Sequence, residues 1–182
     1  FGMRRSGNHA IVDWLTRNAP NQRSMFLNNC VPGKLPMRGF RTITVNGRRT
    51  PAKTVRGNLS ALGAEVGDGG LLIFSYEDVM PVAPDRADTV SGRFDPALIG
   101  TDLVLCRSFL NWSASLLKKM QGNDGFSPVR RGASVLRAIE IYHRMLGLVA
   151  DASDASDARR RCICYDDWVA SEDYRAGALK DL

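Results

Sequence analysis

The spacing of apolar residues changes several times along this chain, and each change predicts an element. Ala10, Ile11, Trp14 and Leu15 recur at helical spacing, which predicts a helix over Asn8–Asn18. Ser24–Asn28 reads as a short strand. Residues 30–60 look irregular, but within them Thr42–Thr50 has β-rich flanks around Asn46-Gly47, a strong hairpin signal. Gly69–Asp78 predicts a buried strand that ends in acids, and Thr101–Arg107 a buried strand that ends in a cation. A helix follows from Ser108 to Lys119, with Ser108 as its N-cap. Gly132–Ala150 predicts a long amphipathic helix whose stripe is Val135, Ile139, Tyr142, Leu146 and Val149, with His143 beside it as a packing or surface residue. Arg161–Cys164 is a last short strand, and Asp166 and Asp167 then cap the next helix.

Strands alternating with helices imply an α/β fold: a mostly parallel central sheet flanked by helices, with ligands at the strands' carboxyl ends. We expect a single domain over residues 1–182, with a basic hairpin insertion around 38–52. That hairpin reads equally as an insertion at the mouth of a site or as a solvated basic surface feature. Residues 79–100, with Pro81, Pro84 and Pro96, read as a loop able to cover a substrate. Asp151–Asp157 reads as an acidic linker, and Arg159–Arg161 as a solvated basic run. The chain opens on Phe1, inside what should be the first strand, so truncation at either end stays open.

Composition narrows the partners. With 44% hydrophobic and 24% charged residues the chain is ordinary globular material. A net charge of +6, mostly from arginine, suits an anionic ligand, although the sign alone fits nucleotide, polyanion and nucleic acid alike. The four cysteines (Cys30, Cys106, Cys162 and Cys164) contain no Cys-x-x-Cys pair, and there are only two histidines, so no metal site is expected. Free thiols, no membrane-spanning stretch and no visible signal peptide point to a cytoplasmic location. A leader lost before Phe1 stays open.

The chemistry is concentrated in the first ten residues. Gly2 and Gly7 bracket four residues, and a helix follows, which is the outline of a phosphate-binding loop. A metal-dependent NTPase loop needs Lys and then Ser/Thr after the second glycine, where this chain has Asn8 and His9. Its cations, Arg4 and Arg5, come earlier. A strand–turn–helix junction with two solvated arginines is the plain alternative. Arg5-Ser6-Gly7 resembles the loop of the sulfotransferase family, roughly (Lys/Arg)-Ser-Gly-Thr-Thr. A second segment supports the resemblance: Arg107 closes a strand and Ser115 follows eight residues later on a helix, the spacing of that family's second signature. Ser108-Phe109 departs from the family's Asp-Pro or Asn-Pro at this point. Cys164-Tyr165-Asp166-Asp167-Trp168-Val169 echoes its late strand and Tyr-Glu-Asp-Leu-Val.

The resemblance implies a P-loop NTPase-like sulfotransferase architecture and metal-free sulfuryl transfer from 3′-phosphoadenosine-5′-phosphosulfate (PAPS). The acceptor would be a hydroxyl or amine on a small molecule or glycan, with no nucleic acid partner expected. It implies that Arg4, Arg5, Ser6, Gly7, Asn8, His9 and Ala10 hold the 5′-phosphosulfate, and that Arg107 and Ser115 hold the 3′-phosphate. Arg5 would stabilise the leaving phosphate. Glu77 is the first candidate for the base, His9 the second and Asp78 the third. The family's late Arg-Lys-Gly loop has no clear counterpart before Leu182. Two other classes compete: a P-loop kinase or NTPase-like enzyme, and a non-catalytic nucleotide- or polyanion-binding module.

Overall fold

The computed structural model describes residues 1–19, 21–55, 59–79, 100–122, 128–152, 159–180 and 182. The expected covering loop at 79–100 falls almost wholly outside them, as does most of the acidic linker. The described residues divide into two units, one from 1–7, 78–79 and 100–182, the other from 8–77.

The second unit starts with helix α1 (Asn8–Asn18), which buries Asn8, Ile11 and Val12. Strand β1 (Ser24–Asn28) is buried at every position and forms the centre of a mixed sheet. On one edge β4 (Leu71–Phe74) pairs with it in parallel. On the other, β2 (Thr42–Val45) pairs antiparallel and carries β3 (Arg48–Pro51) beyond it, in the order β3-β2-β1-β4. Asn46 and Gly47 have φ of 46° and 81°, the left-handed pair that a tight two-residue hairpin demands. Ile43 and Val45 point into the core and their neighbours outward, the period-2 pattern of a half-buried strand. The hairpin is therefore zipped into the sheet. Two short helices, α2 (Ala52–Val55) and α3 (Leu59–Val66), lead on to β4. Leu72 of β4 is 40% exposed, so this strand is less buried than its composition suggests.

In the first unit β5 (Asp102–Cys106) and β6 (Arg160–Cys164) pair in parallel, with Val104 opposite Cys162 and Cys106 opposite Cys164. The opening residues join them through a parallel bridge from Gly2 to Leu105. Helix α4 (Phe109–Gln121) follows β5, α5 (Pro128–Ala152) precedes β6, and α6 (Tyr165–Ala170) and α7 (Glu172–Lys180) close the chain. The core is Met3, Val104, Trp112, Tyr142 and Met145. Trp112 and Tyr142 stack at 4.9 Å between ring centroids, with Phe109 edge-on to Tyr142 at 5.3 Å.

The α/β character is as expected; a single mostly parallel sheet is not what forms. Among the described residues the strands lie in a four-stranded mixed sheet and a two-stranded parallel one. The physical reason in the second unit is the hairpin. By occupying the free edge of β1 antiparallel, it blocks parallel extension there. Helix α5 is rotated somewhat from the expected stripe: Tyr142 and Val149 of that stripe do pack inward and Met145 joins them, whereas Ile139 and Leu146 are exposed. The stack of Tyr142 on Trp112 sets that rotation. Among the described residues no helix is long and apolar enough to cross a membrane.

Candidate functional site

The opening loop of the first unit is held in a conformation its residue types would not choose. Arg5 has φ of 72° and Gly7 of 90°. The left-handed region costs a side-chain-bearing residue roughly 1–2 kcal/mol, so Arg5 needs outside support to stay there. The support comes from four directions. The Arg4 N–H donates to Asp78 Oδ1 at 2.9 Å, and the Arg4 guanidinium pairs with the other carboxylate oxygen. The Asp78 N–H donates to Gly2 O at 3.0 Å. Trp112 Nε1–H donates to Arg4 O at 3.0 Å, and Arg107 Nη1 donates to Arg5 O at 3.1 Å. Finally, Arg5 Nε–H donates to Ser115 Oγ at 3.0 Å. Gly7 admits no side chain, because a Cβ there would run into the ring of Tyr165.

Arg107, at the end of β5, is the most constrained cation. Its carbonyl accepts the Tyr142 hydroxyl at 2.9 Å. Burial pushes the Tyr142 phenol above its ordinary range, which keeps it protonated as that donor. The guanidinium lies 5.1 Å from the centroid of the Tyr165 ring, within cation–π range. Its Nε is 3.7 Å from Asp166 Oδ1, close enough for ion pairing and too long for a hydrogen bond. Asp166 instead accepts from the Ser108 N–H at 2.6 Å and from Asn111 Nδ2 at 2.7 Å. Burial alone would raise its carboxyl, but those two donors and Arg107 outweigh burial and hold it below the usual aspartate range.

Three of the residues expected to bind an anion, Arg5, Arg107 and Ser115, therefore come together in one unit. Ser6 lies beside them on the loop, 1% exposed, and its hydroxyl oxygen has no hydrogen-bond partner among the described residues. A buried hydroxyl left unpaired costs about 1–3 kcal/mol. Arg4 is committed to Asp78, which makes it a clamp on the loop. Asp78 correspondingly has both oxygens engaged, which weakens its candidacy as a base.

The remaining candidates belong to the second unit. Asn8 opens α1, its Nδ2 donates to Glu77 Oε1 at 3.4 Å, and its buried Oδ1 has no partner among the described residues. His9 is exposed, with its ring edge-on to Phe26 at 6.0 Å. Ala10 is half-buried in the first turn of α1. All four cysteines are free thiols. Burial pushes Cys30 up to about 12, and burial with the neighbouring Cys164 does the same to Cys106. Neither is a thiolate nucleophile near neutral pH.

Tyr165 and Asp166 are the participants that sequence reasoning missed, having read this stretch as capping for its own helix. Asp166 caps α4 instead: Ser108 occupies the N-cap position but its side chain makes no capping bond. The only signal was indirect. With Cys106 opposite Cys164 in a parallel pair, the next residues, Arg107 and Tyr165, have to emerge side by side. Compared with protein-family models, curated proteins and solved structures, the chain gives no match in any of the three.

Proposed function

We propose that this chain is a PAPS-dependent sulfotransferase, moving a sulfuryl group to an acceptor hydroxyl or amine. The observation that carries the reading is the convergence of Arg5, Arg107 and Ser115 around a glycine loop, two fixed guanidinium charges and a hydroxyl within one hydrogen-bonded cluster. Guanidinium suits phosphate because its N–H groups match two oxygens at once and its charge is permanent. The unpartnered Ser6 hydroxyl is a further donor that an anion would satisfy.

These residues fit the two anionic ends of such a cofactor, with one adjustment. Arg5 and Ser115 are assigned to different phosphates, so their mutual hydrogen bond has to open when both are engaged. Bound PAPS would supply the sulfuryl group already activated by attachment to phosphate. Loop residues Arg5 to Ala10 would orient the 5′ end, and Arg107 with Ser115 the 3′-phosphate. Such a donor would leave negative charge on its bridging oxygen, and a fixed cation placed there would stabilise the transition state more than the ground state. Arg5 has that role and cannot readily give up a proton. The proton leaves the acceptor as its bond to sulfur forms, and we assign it to Glu77 on the sequence ground that its carboxylate closes an apolar strand. His9 is the second choice of base.

One observation favours a second reading, a non-catalytic nucleotide- or polyanion-binding module: Arg4 and Arg5 are both already engaged by groups of the chain itself. Calorimetry with adenosine 3′,5′-bisphosphate, adenosine 5′-phosphate and ATP, each with and without Mg²⁺, tests both. The sulfotransferase reading expects metal-independent binding and a preference for the bisphosphate of about tenfold to a hundredfold, the worth of one charge-assisted phosphate contact. Equal affinities would remove its main support. Binding of ATP that requires Mg²⁺ would point to a kinase or NTPase-like enzyme.

A further inference from the structure

We infer that Asp166 is a positioning residue: it aims the Arg107 guanidinium, and through it sets the selectivity of the site for a nucleotide carrying a 3′-phosphate. The inference rests on the nucleotide reading above and adds a residue that neither the loop nor the Arg107–Ser115 spacing contains. Three geometric facts carry it. First, the Asp166 carboxylate is fixed by two short bonds, to the Ser108 N–H and to Asn111 Nδ2, so its position is set by the start of α4. Second, its nearest approach to Arg107 is from Oδ1 to Nε, at 3.7 Å, while Nη1 is taken by Arg5 O and the ring of Tyr165 lies within cation–π reach. The guanidinium is thus hydrogen-bonded through Nη1 and set against a ring, while its buried Nε faces the carboxylate beyond hydrogen-bond distance and has no hydrogen-bond partner among the described residues. Third, both residues leave adjacent parallel strands at the same level, Arg107 directly after Cys106 and Asp166 two residues after Cys164. The carboxylate therefore travels with the strand pair that presents the cation.

A carboxylate this close to a phosphate-binding arginine has two possible effects of opposite sign. As an aiming device it raises selectivity for the 3′-phosphate, because a pre-oriented fork loses less freedom on binding. As a mere competing anion it lowers affinity for that phosphate. The sign of the change on its removal decides between them.

The test is calorimetry at fixed ionic strength, reading the ratio of affinities for adenosine 3′,5′-bisphosphate and adenosine 5′-phosphate. Asp166→Asn should reduce the ratio about tenfold, with affinity for the 5′-phosphate nearly unchanged. Loss of local structure would lower both affinities together. Because Asp166 acts through Arg107, the effect should vanish in the Arg107→Ala background, the signature of coupling in a double-mutant cycle. Asn111→Ala removes one anchor of the carboxylate from an exposed helix position and should lower the ratio in the same direction by less, which keeps the test alive if Asp166→Asn does not fold. A ratio that stays the same or rises in Asp166→Asn overturns the inference while leaving the nucleotide reading intact, as does a full additional loss in the Arg107→Ala background. A wild-type protein with no preference between the nucleotides fails the nucleotide reading itself, and the inference with it.

Discussion

The two units use polar side chains in opposite ways. In the second unit, apart from the exposed Arg48–Glu65 pair, the polar bonds are mostly neutral and serve to close the backbone. The Ser75 hydroxyl donates to Asn28 Oδ1 at 3.0 Å and accepts the Asn29 N–H at 2.9 Å, and Asn46 Oδ1 accepts the Ser24 N–H at 2.9 Å. In the first unit charged groups gather on a strained loop: Arg4 on Asp78, Arg5 on Ser115, Arg107 between Arg5 O and Asp166. There the Ser6 hydroxyl stays buried without a partner among the described residues, as Asn8 Oδ1 does at the very start of the second unit. A unit whose polar groups are satisfied internally gains stability from them. Strain and unmet donors lower stability, and such features persist where binding needs them. The comparison teaches where a substitution should cost folding and where it should cost ligand binding.

The largest expected effect concerns Glu77, a carboxylate of the second unit that meets the neutral Asn8 side chain. Glu77→Gln keeps the shape but cannot accept a proton, so sulfuryl transfer should fall by roughly 10²–10⁴ with folding and nucleotide binding retained. A panel of sugars, phenols and amines as acceptors provides the assay. Full activity in Glu77→Gln together with its loss in His9→Ala would move the base to His9, which belongs to the same unit. Next comes Arg5→Ala, which should lower turnover by about 10²–10³ and nucleotide affinity much less, because its charge is needed where negative charge develops. Collapsed affinity with normal turnover of the bound complex would reduce Arg5 to a binding residue.

Leu27, with no exposed surface at the centre of β1, probes the other side of the comparison. Leu27→Ala should cost about 2–5 kcal/mol in urea unfolding, and the folded fraction should keep the wild-type ratio of bisphosphate to monophosphate affinity. A changed ratio would break the separation of roles. The smallest effect is that of acid on Asp166. Its carboxyl lies below the ordinary value when folded, so its contribution to stability is complete above the unfolded value of about 3.9 and is lost as pH falls through the folded one. Urea midpoints of wild type and Asp166→Asn should therefore differ near about pH 5 and converge as acid is added below the unfolded value. A gap that persists undiminished into acid would show that the charge of Asp166 is not what the fold uses.

Local order was open to reading along the chain. Helix α1 over Asn8–Asn18, strand β1 over Ser24–Asn28 and the turn at Asn46-Gly47 follow from apolar spacing and from which residues accept positive φ, and these depend on near neighbours. The anion-binding candidates were open to reading for the same reason, since Arg5-Ser6-Gly7 is one loop and Arg107 and Ser115 belong to one strand–helix step. What could not be read was every choice between distant partners. The edge of β1 that the hairpin takes, the face that α5 turns inward and the carboxylate that meets Arg107 each depend on strand register and side-chain packing across the unit. Asp166 reaches a backbone N–H 58 residues before it, and no periodicity in the chain encodes that meeting. Composition and spacing determined which elements form and which residues have the chemistry. Tertiary structure alone decided their partners, because burial favours any apolar face equally until a particular packing, here Tyr142 on Trp112, selects one.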